Sequence, residues 1–528
     1  MSYQLRLTVF LLSLPLYVWS QSAFNWSSIV PSDSLNWVDC FSPPIQCTRL
    51  NVPKNYSNPE LGSFVLALSR IPSSLNGTAA YRGPILYNPG GPGGSGVDAI
   101  VQIGAELSTI IGPEFDIVSF DPRGVANTTP RIFDSFFLTD AEAAAFDFGP
   151  RVTDPTATPD ALPGQWAHFQ TLGHLAKDRD ANGSAILPHV TTDNVARDML
   201  HIVQVYGREK LLYWGISYGT VLGATFAAMF PDKVERLIID GVVDMEGYYK
   251  SDGANELLDT DKELGLFFSE CHKAGPDACA FYDTSPEAIS INLDKIYAQL
   301  RAQPAVAYSP SLSAYGVVDG AALKNALFTS FYFPYDLFST VAQGLSDLQR
   351  GNGSVIFQLS PTPADPVFTA IVCGDGEEVT DDASALMKYR QRISNVSTFS
   401  DVLVGMGIRT ICSGWRIHTD NFKGPIMGNT SFPLLVIGNT ADPVTPLAGA
   451  IKAAKAFPGA VVLTQDSLGH TSFATRSNCT LAYVRQYFQN GTLPAPGVVC
   501  PVTTPLFPIQ APIKARSLVT KPVNFWGL

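Results

Sequence analysis

Leu211-Leu212-Tyr213-Trp214-Gly215-Ile216-Ser217-Tyr218-Gly219 is the stretch on which the reading of this chain turns. The apolar run Leu211 to Trp214 predicts a buried strand, and Thr220 to Phe230 predicts a helix, so Gly215-Ile216-Ser217-Tyr218-Gly219 falls at a sharp strand-to-helix turn. Such a turn crowds strand against helix and strains the central residue, which requires flanking positions without side chains. Gly215 and Gly219 meet that need, and Ser217 is left at the apex as a candidate nucleophile.

Outward from the turn the same alternation continues. Phe64–Leu68, Ile85–Asn88 and Phe115–Asp121 are near-continuous apolar runs, as expected of strands buried on both faces. Val195, Met199, Ile202, Val203 and Tyr206 recur at helical spacing, with Thr191 or Thr192 placed to cap the start. Leu237–Asp240 is a further strand. Strands alternating with helices predict an α/β fold with a mostly parallel sheet and right-handed crossovers. From residue 247 to 425 the rhythm is lost, which predicts an inserted cap domain. It resumes with Pro433–Gly438, Ala460–Leu463 and a helix over Leu481–Phe488. The expected organisation is a signal peptide (1–20), a core in two parts (21–246 and 426–500) around the cap (247–425), and a Pro-rich C-terminal extension (501–528).

A serine hydroxyl is a weak nucleophile, so a histidine must accept its proton and an acid must orient that histidine. In strand-turn-helix serine sites the chain order is serine, acid, histidine. His470 follows the Ala460–Leu463 strand in Ser467-Leu468-Gly469-His470 and is preferred to His418, which sits in cap sequence. Asp442 follows the Pro433–Gly438 strand in Asn439-Thr440-Ala441-Asp442-Pro443-Val444-Thr445-Pro446 and is preferred to Asp466. A tetrahedral intermediate also needs N–H donors. Tyr218 supplies one, and the loop Asn88-Pro89-Gly90-Gly91-Pro92-Gly93-Gly94-Ser95-Gly96 supplies another through the Gly91 amide. That loop lacks the lysine and spacing of a phosphate-binding loop.

Composition bounds the rest. The 528 residues are 46% hydrophobic and 16% charged, enough to bury a large core. A net charge of −12 argues against nucleic acid or an anionic membrane surface as a partner. Arg6 followed by the apolar Leu7–Leu16 and small residues before Gln21 predicts a secretory leader rather than a membrane anchor, because the apolar stretch is about half the ~20 residues a spanning helix needs. Asn-x-Ser/Thr acceptors at Asn25, Asn55, Asn76, Asn127, Asn182, Asn352, Asn395, Asn429, Asn478 and Asn490 predict N-linked glycans. Eight cysteines suit disulfides in an oxidising compartment, with sequence neighbours paired: 40–47, 271–279, 373–412 and 479–500. No Cys-x-x-Cys or His-Glu-x-x-His spacing is present, so no metal or other cofactor is expected.

These motifs, together with Phe120-Asp121-Pro122-Arg123-Gly124 and Gly469-His470-Thr471, resemble those of the secreted tripeptidyl aminopeptidases, a branch of the proline iminopeptidase family within the α/β-hydrolases. The resemblance spans residues 84–500, with the cap matching least, and Ala126 stands where relatives usually carry glycine. It implies an α/β-hydrolase fold and an exopeptidase that releases short peptides or proline from free N-termini, although close relatives act as carboxylesterases. A catalytically dead fold serving as a binding module is the reading from another class. Peptides are the expected partners, and recognition of a protonated N-terminal amine calls for carboxylates on the cap side. Asp375 and Glu378 in Asp375-Gly376-Glu377-Glu378, and Asp244, are the candidates.

Overall fold

A computed structural model describes residues 24–508 except 148–157 and 361–364. The expected signal peptide and the last twenty residues of the C-terminal extension, 509–528, lie outside the described residues.

Ten strands form one sheet: β1 (Val38–Asp39), β2 (Gln46–Pro53), β3 (Ser63–Ile71), β4 (Gly83–Asn88), β5 (Phe115–Phe120), β6 (Leu211–Ile216), β7 (Val234–Asp240), then β10 (Leu435–Ala441), β11 (Val461–Leu468) and β12 (Val499–Pro501). A separate hairpin, β8 (Ala305–Ser309) with β9 (Ala314–Val318), belongs to the region between β7 and β10. The spatial order is β1-β2-β3-β5-β4-β6-β7-β10-β11-β12. Pairing is antiparallel from β1 to β5 and parallel from β5 to β12. The α/β-hydrolase expectation is met, with the antiparallel strands gathered at one end of the sheet.

Residues of β4 to β6 are buried throughout because helices cover both sheet faces. On one face Val195, Met199 and Ile202 of the Thr192–Val205 helix pack with Val221 and Leu222 of the Tyr218–Met229 helix. On the other, Ile100 and Leu107 of the Gly96–Ile111 helix pack with Trp214 and with Val484 of the Asn478–Asn490 helix.

Between β7 and β10 the described residues are largely helical as far as Cys412, with the β8–β9 hairpin among the helices, and irregular from there to β10; the stretch around Phe267, Leu293, Leu327, Phe338 and Val341 buries an apolar cluster of its own. The sequence did not foretell a second excursion, between β5 and the Thr192–Val205 helix. Its long helix, Ala161–Asn182, joins the region between β7 and β10: Trp166 Nε1 donates to Asp381 O and Gln170 Nε2 to Ser413 O. Gly173 approaches Gly414 so closely that a Cβ there would lie 1.8 Å from its carbonyl oxygen.

Four disulfides join Cys40 to Cys47, Cys271 to Cys279, Cys373 to Cys412 and Cys479 to Cys500, the neighbour pairing expected from sequence. Among the described residues no helix is long and apolar enough to cross a membrane.

Candidate active site

Ser217 stands at the end of β6 with φ +56° and ψ −126°, a conformation unusual for a residue with a side chain. The structure shows why both flanking positions are glycine. A Cβ on Gly215 would meet Gly219 O at 2.3 Å, and one on Gly219 would meet Asn88 O at 2.8 Å. Ser217 N donates to Asp240 O at the end of β7, which locks the turn to the neighbouring strand.

Asp442 and His470 come from the loops after β10 and β11, so all three residues gather beyond the C-terminal ends of parallel strands. His470 Nδ1 lies 3.1 Å from both Asp442 carboxylate oxygens. With Nδ1 as donor to that carboxylate, Nε2 is the nitrogen left to accept a proton. Asp442 is fully buried and also accepts from Val444 N, Thr445 N, Thr445 Oγ1 and Thr471 N. Burial pushes its carboxyl up, but the His470 imidazole and these hydrogen bonds outweigh it and hold the group below the usual aspartate value. The Ser217 hydroxyl makes no hydrogen bond among the described residues; such contacts often tighten only around substrate.

The alternatives considered from sequence are placed elsewhere. Asp466 is exposed and accepts from Thr440 Oγ1, while His418 Nε2 stands 3.9 Å from the exposed Glu378.

Tyr218 is the first residue of its helix, so its N–H has no intrahelical acceptor. Gly91 borders the same pocket as Ser217 and Tyr218. The loop carrying it must pass close to the nucleophile: a Cβ on Gly90, at φ +93°, would meet Ile216 O at 2.6 Å and Ser217 Cβ at 2.9 Å. Asp121 braces the loop by accepting from Ser95 Oγ at 2.6 Å and Val97 N at 3.0 Å. Two residues on, Arg123 is buried against Asp198, away from the pocket. Ala126 takes φ +44°, a left-handed conformation that glycine adopts without strain.

The acids expected to bind an amine are not at the pocket, and this part of the sequence reading is corrected. Asp375 is fully buried, accepting from Thr192 N, Thr192 Oγ1 and Tyr248 Oη. It thereby caps the Thr192–Val205 helix, a task the Thr191 side chain does not perform. Burial pushes Asp375 up to about 7 against those hydrogen bonds. Asp244 caps the Met245–Tyr249 helix and pairs with Lys452 at 2.6 Å. Glu378 is a surface residue, its side chain 63% exposed. Each acid is committed to a helix end, a lysine or solvent.

The acid that does border the pocket is Glu256. The cavity, of about 100 Å³, has apolar walls that include Val243, Phe328, Phe368, Val372, Ile408 and Val444. Among the described residues the Glu256 carboxylate has neither a hydrogen-bond nor an ion-pair partner. Burial, with like-charge repulsion from Asp244 and Asp252, pushes it up to about 8. Sequence offered no signal for it, because Asn255-Glu256 reads as one more acid in a helical stretch.

Comparison with known proteins agrees with this geometry. Residues 83–273 match the model of the alpha/beta hydrolase fold, and residues 399–500 match that of TAP-like proteins. The serine protease Hip1 of Mycobacterium tuberculosis is 27% identical over 495 residues, covering 88% of this chain and 91% of that protein. A tripeptidyl aminopeptidase of Streptomyces lividans is 27% identical over 505 residues, covering 89% and 87%. Carboxylesterase B of Mycobacterium tuberculosis is 28% identical over 472 residues, covering 86% of each chain. The chain belongs to the α/β-hydrolases with a TAP-like C-terminal region and is a serine hydrolase of that type.

Proposed function

We propose that the protein is a secreted serine exopeptidase that cleaves peptides near a free N-terminus through an acyl-enzyme. The observation that carries this reading is the Glu256 carboxyl, without a hydrogen-bond or ion-pair partner among the described residues, in a mostly apolar pocket bordered by Ser217. The carboxyl is partly exposed and faces the pocket without a counter-charge, and a protonated amine entering the pocket supplies that charge and hydrogen bonds. A neutral ester brings no such charge.

In the reaction, Ser217 Oγ attacks the scissile carbonyl while His470 Nε2 takes its proton, and Asp442 holds the imidazole and stabilises the imidazolium. The oxyanion accepts from the Gly91 and Tyr218 N–H groups. Collapse of the tetrahedral intermediate expels the peptide amine, which receives the proton from His470. Water, deprotonated by the same nitrogen, then releases the acyl group.

Secretion is supported by the N-terminal leader pattern, by the four disulfides, and by exposure of eight of the ten Asn-x-Ser/Thr acceptors, all but Asn55 and Asn127. N-linked glycans are proposed at the exposed positions.

The test is hydrolysis of fluorogenic peptides with free and acetylated N-termini beside a short-chain ester, by wild type and Ser217→Ala. Turnover confined to free N-termini and lost in the variant is the expected result. Ester turnover alone would make the protein a carboxylesterase, and activity indifferent to Ser217 would remove the mechanism.

A further inference from the structure

The backbone around His470 is held by the cap side as much as by the core. Five consecutive N–H groups have named acceptors. Leu468 N donates to Tyr335 Oη, Gly469 N to Glu263 Oε1 and His470 N to Tyr332 O, all three acceptors lying between β7 and β10. Only the next two, Thr471 N to Asp442 Oδ2 and Ser472 N to Asp240 Oδ1, return to core residues.

Glu263 lies in the first turn of the Thr260–Ala274 helix. The same turn reaches the other catalytic loop, with Thr260 Oγ1 donating to Pro443 O at 2.8 Å and Lys262 Nζ to Thr440 O at 2.6 Å. Glu263 is fully buried, and its Oε2 has no hydrogen-bond partner. An apolar residue would fill that space without the cost of an orphaned oxygen. What an apolar residue cannot do is accept from Gly469 N, at 2.9 Å. Gly469 turns the chain into His470 at φ +92°, where a Cβ would meet Pro334 Cδ and Ala474 Cβ at 2.6 Å. The amide is thus confined between cap and core with Glu263 as its acceptor.

We propose that Glu263 is a positioning residue for the reaction, whose Oε1 fixes the Gly469 amide so that seating of the cap helix and alignment of His470 are a single event. This rests on the serine hydrolase reading of Ser217. Burial, with the nearby Asp442 and Asp259, raises the carboxyl well above the usual glutamate value, against the Gly469 N–H hydrogen bond and Lys262, which lower it. Glutamine keeps the acceptor oxygen without a charge, and methionine has a similar shape with no acceptor.

The experiment compares wild type, Glu263→Gln and Glu263→Met for steady-state turnover of the best peptide or ester, for the rate of Ser217 labelling by a fluorophosphonate, and for thermal unfolding. Methionine is expected to lower kcat about tenfold or more with little change in KM, slow labelling in parallel, and leave a folded protein. Glutamine is expected to stay within about threefold of wild type in both readouts. Full kcat in Glu263→Met, a change confined to KM, or Gln behaving as poorly as Met overturns the positioning role alone. Should Glu263→Met not fold, Tyr335→Phe, which removes the Leu468 acceptor, replaces it and must lower kcat at constant KM or the proposal fails. Wild type without Ser217-dependent turnover or labelling would overturn the hydrolase reading and this role with it.

Discussion

Replacing Glu256 by glutamine keeps the shape of the pocket and removes its only proposed counter-charge for a substrate amine. A hydrogen bond to a charged group contributes about 1.5–3 kcal/mol, so kcat/KM for a free-N-terminus peptide should fall by about 10- to 150-fold where both partners are charged. The pH dependence is the sharper signature. The Glu256 carboxyl sits at about 8 in the open pocket, so about a tenth of the molecules carry it ionised at pH 7 and about a hundredth at pH 6. A peptide amine, ordinarily at about 7.7–8.0, is mostly protonated at both. The population able to form the ion pair therefore rises roughly tenfold between pH 6 and 7 and flattens near 8 as the amine loses its proton. The ratio of kcat/KM for the free peptide to that for an ester, measured from pH 6 to 8, cancels the shared titration of the triad. In wild type that ratio should climb along this curve, and in Glu256→Gln it should be low and flat. An unchanged ratio in the variant, or equal losses on free and acetylated peptides, would refute amine recognition by Glu256.

Three further outcomes are expected. Thr445→Val removes the hydroxyl that donates to Asp442 Oδ2 at 2.7 Å and lies 3.1 Å from His470 Nδ1, and should lower kcat roughly tenfold with KM little changed; equal loss in both constants would mean the pocket itself had moved. Gly90→Ala should abolish Ser217 labelling in a protein that remains folded, because its Cβ meets Ile216 O and Ser217 Cβ at under 3 Å; normal labelling would show that the loop yields freely. Stability should be greatest in mild acid. Asp240 at about 6, Asp375 at about 7 and Glu256 at about 8 all lie above their unfolded values of 3.8, 3.8 and 4.5. Folding therefore binds protons at these groups, and their contribution declines as pH rises from about 4 to 8. Asp442 is shifted the other way, so its contribution is lost on acidification below its unfolded value of 3.8. A melting temperature higher at pH 8 than at pH 5 would contradict this balance.

Much of this architecture is legible in a single chain because its signals are local. The strand, the Gly-x-Ser-x-Gly turn and the helix around Ser217 lie within some twenty residues, and the strain on Ser217 dictates glycine at 215 and 219. The acid and histidine follow from chain order and from strand ends, where α/β sheets collect their active groups. Even the cysteine pairing follows sequence proximity. Three things needed the tertiary structure. The excursion containing Ala161–Asn182 joins the region between β7 and β10 through contacts with Asp381 and Ser413, more than 200 residues away, and has no periodic signature of its partner. Asp375, which sequence marks as an amine-binding acid, is consumed in capping a helix 183 positions earlier. Glu256 and Glu263 look like ordinary helix acids in sequence, yet one faces the pocket without a partner and the other holds the Gly469 amide. Composition and periodicity determine which segments become strands and helices, because those depend on neighbours along the chain. What a carboxylate does depends on which donors, charges and walls surround it, and only packing between segments distant in sequence decides that.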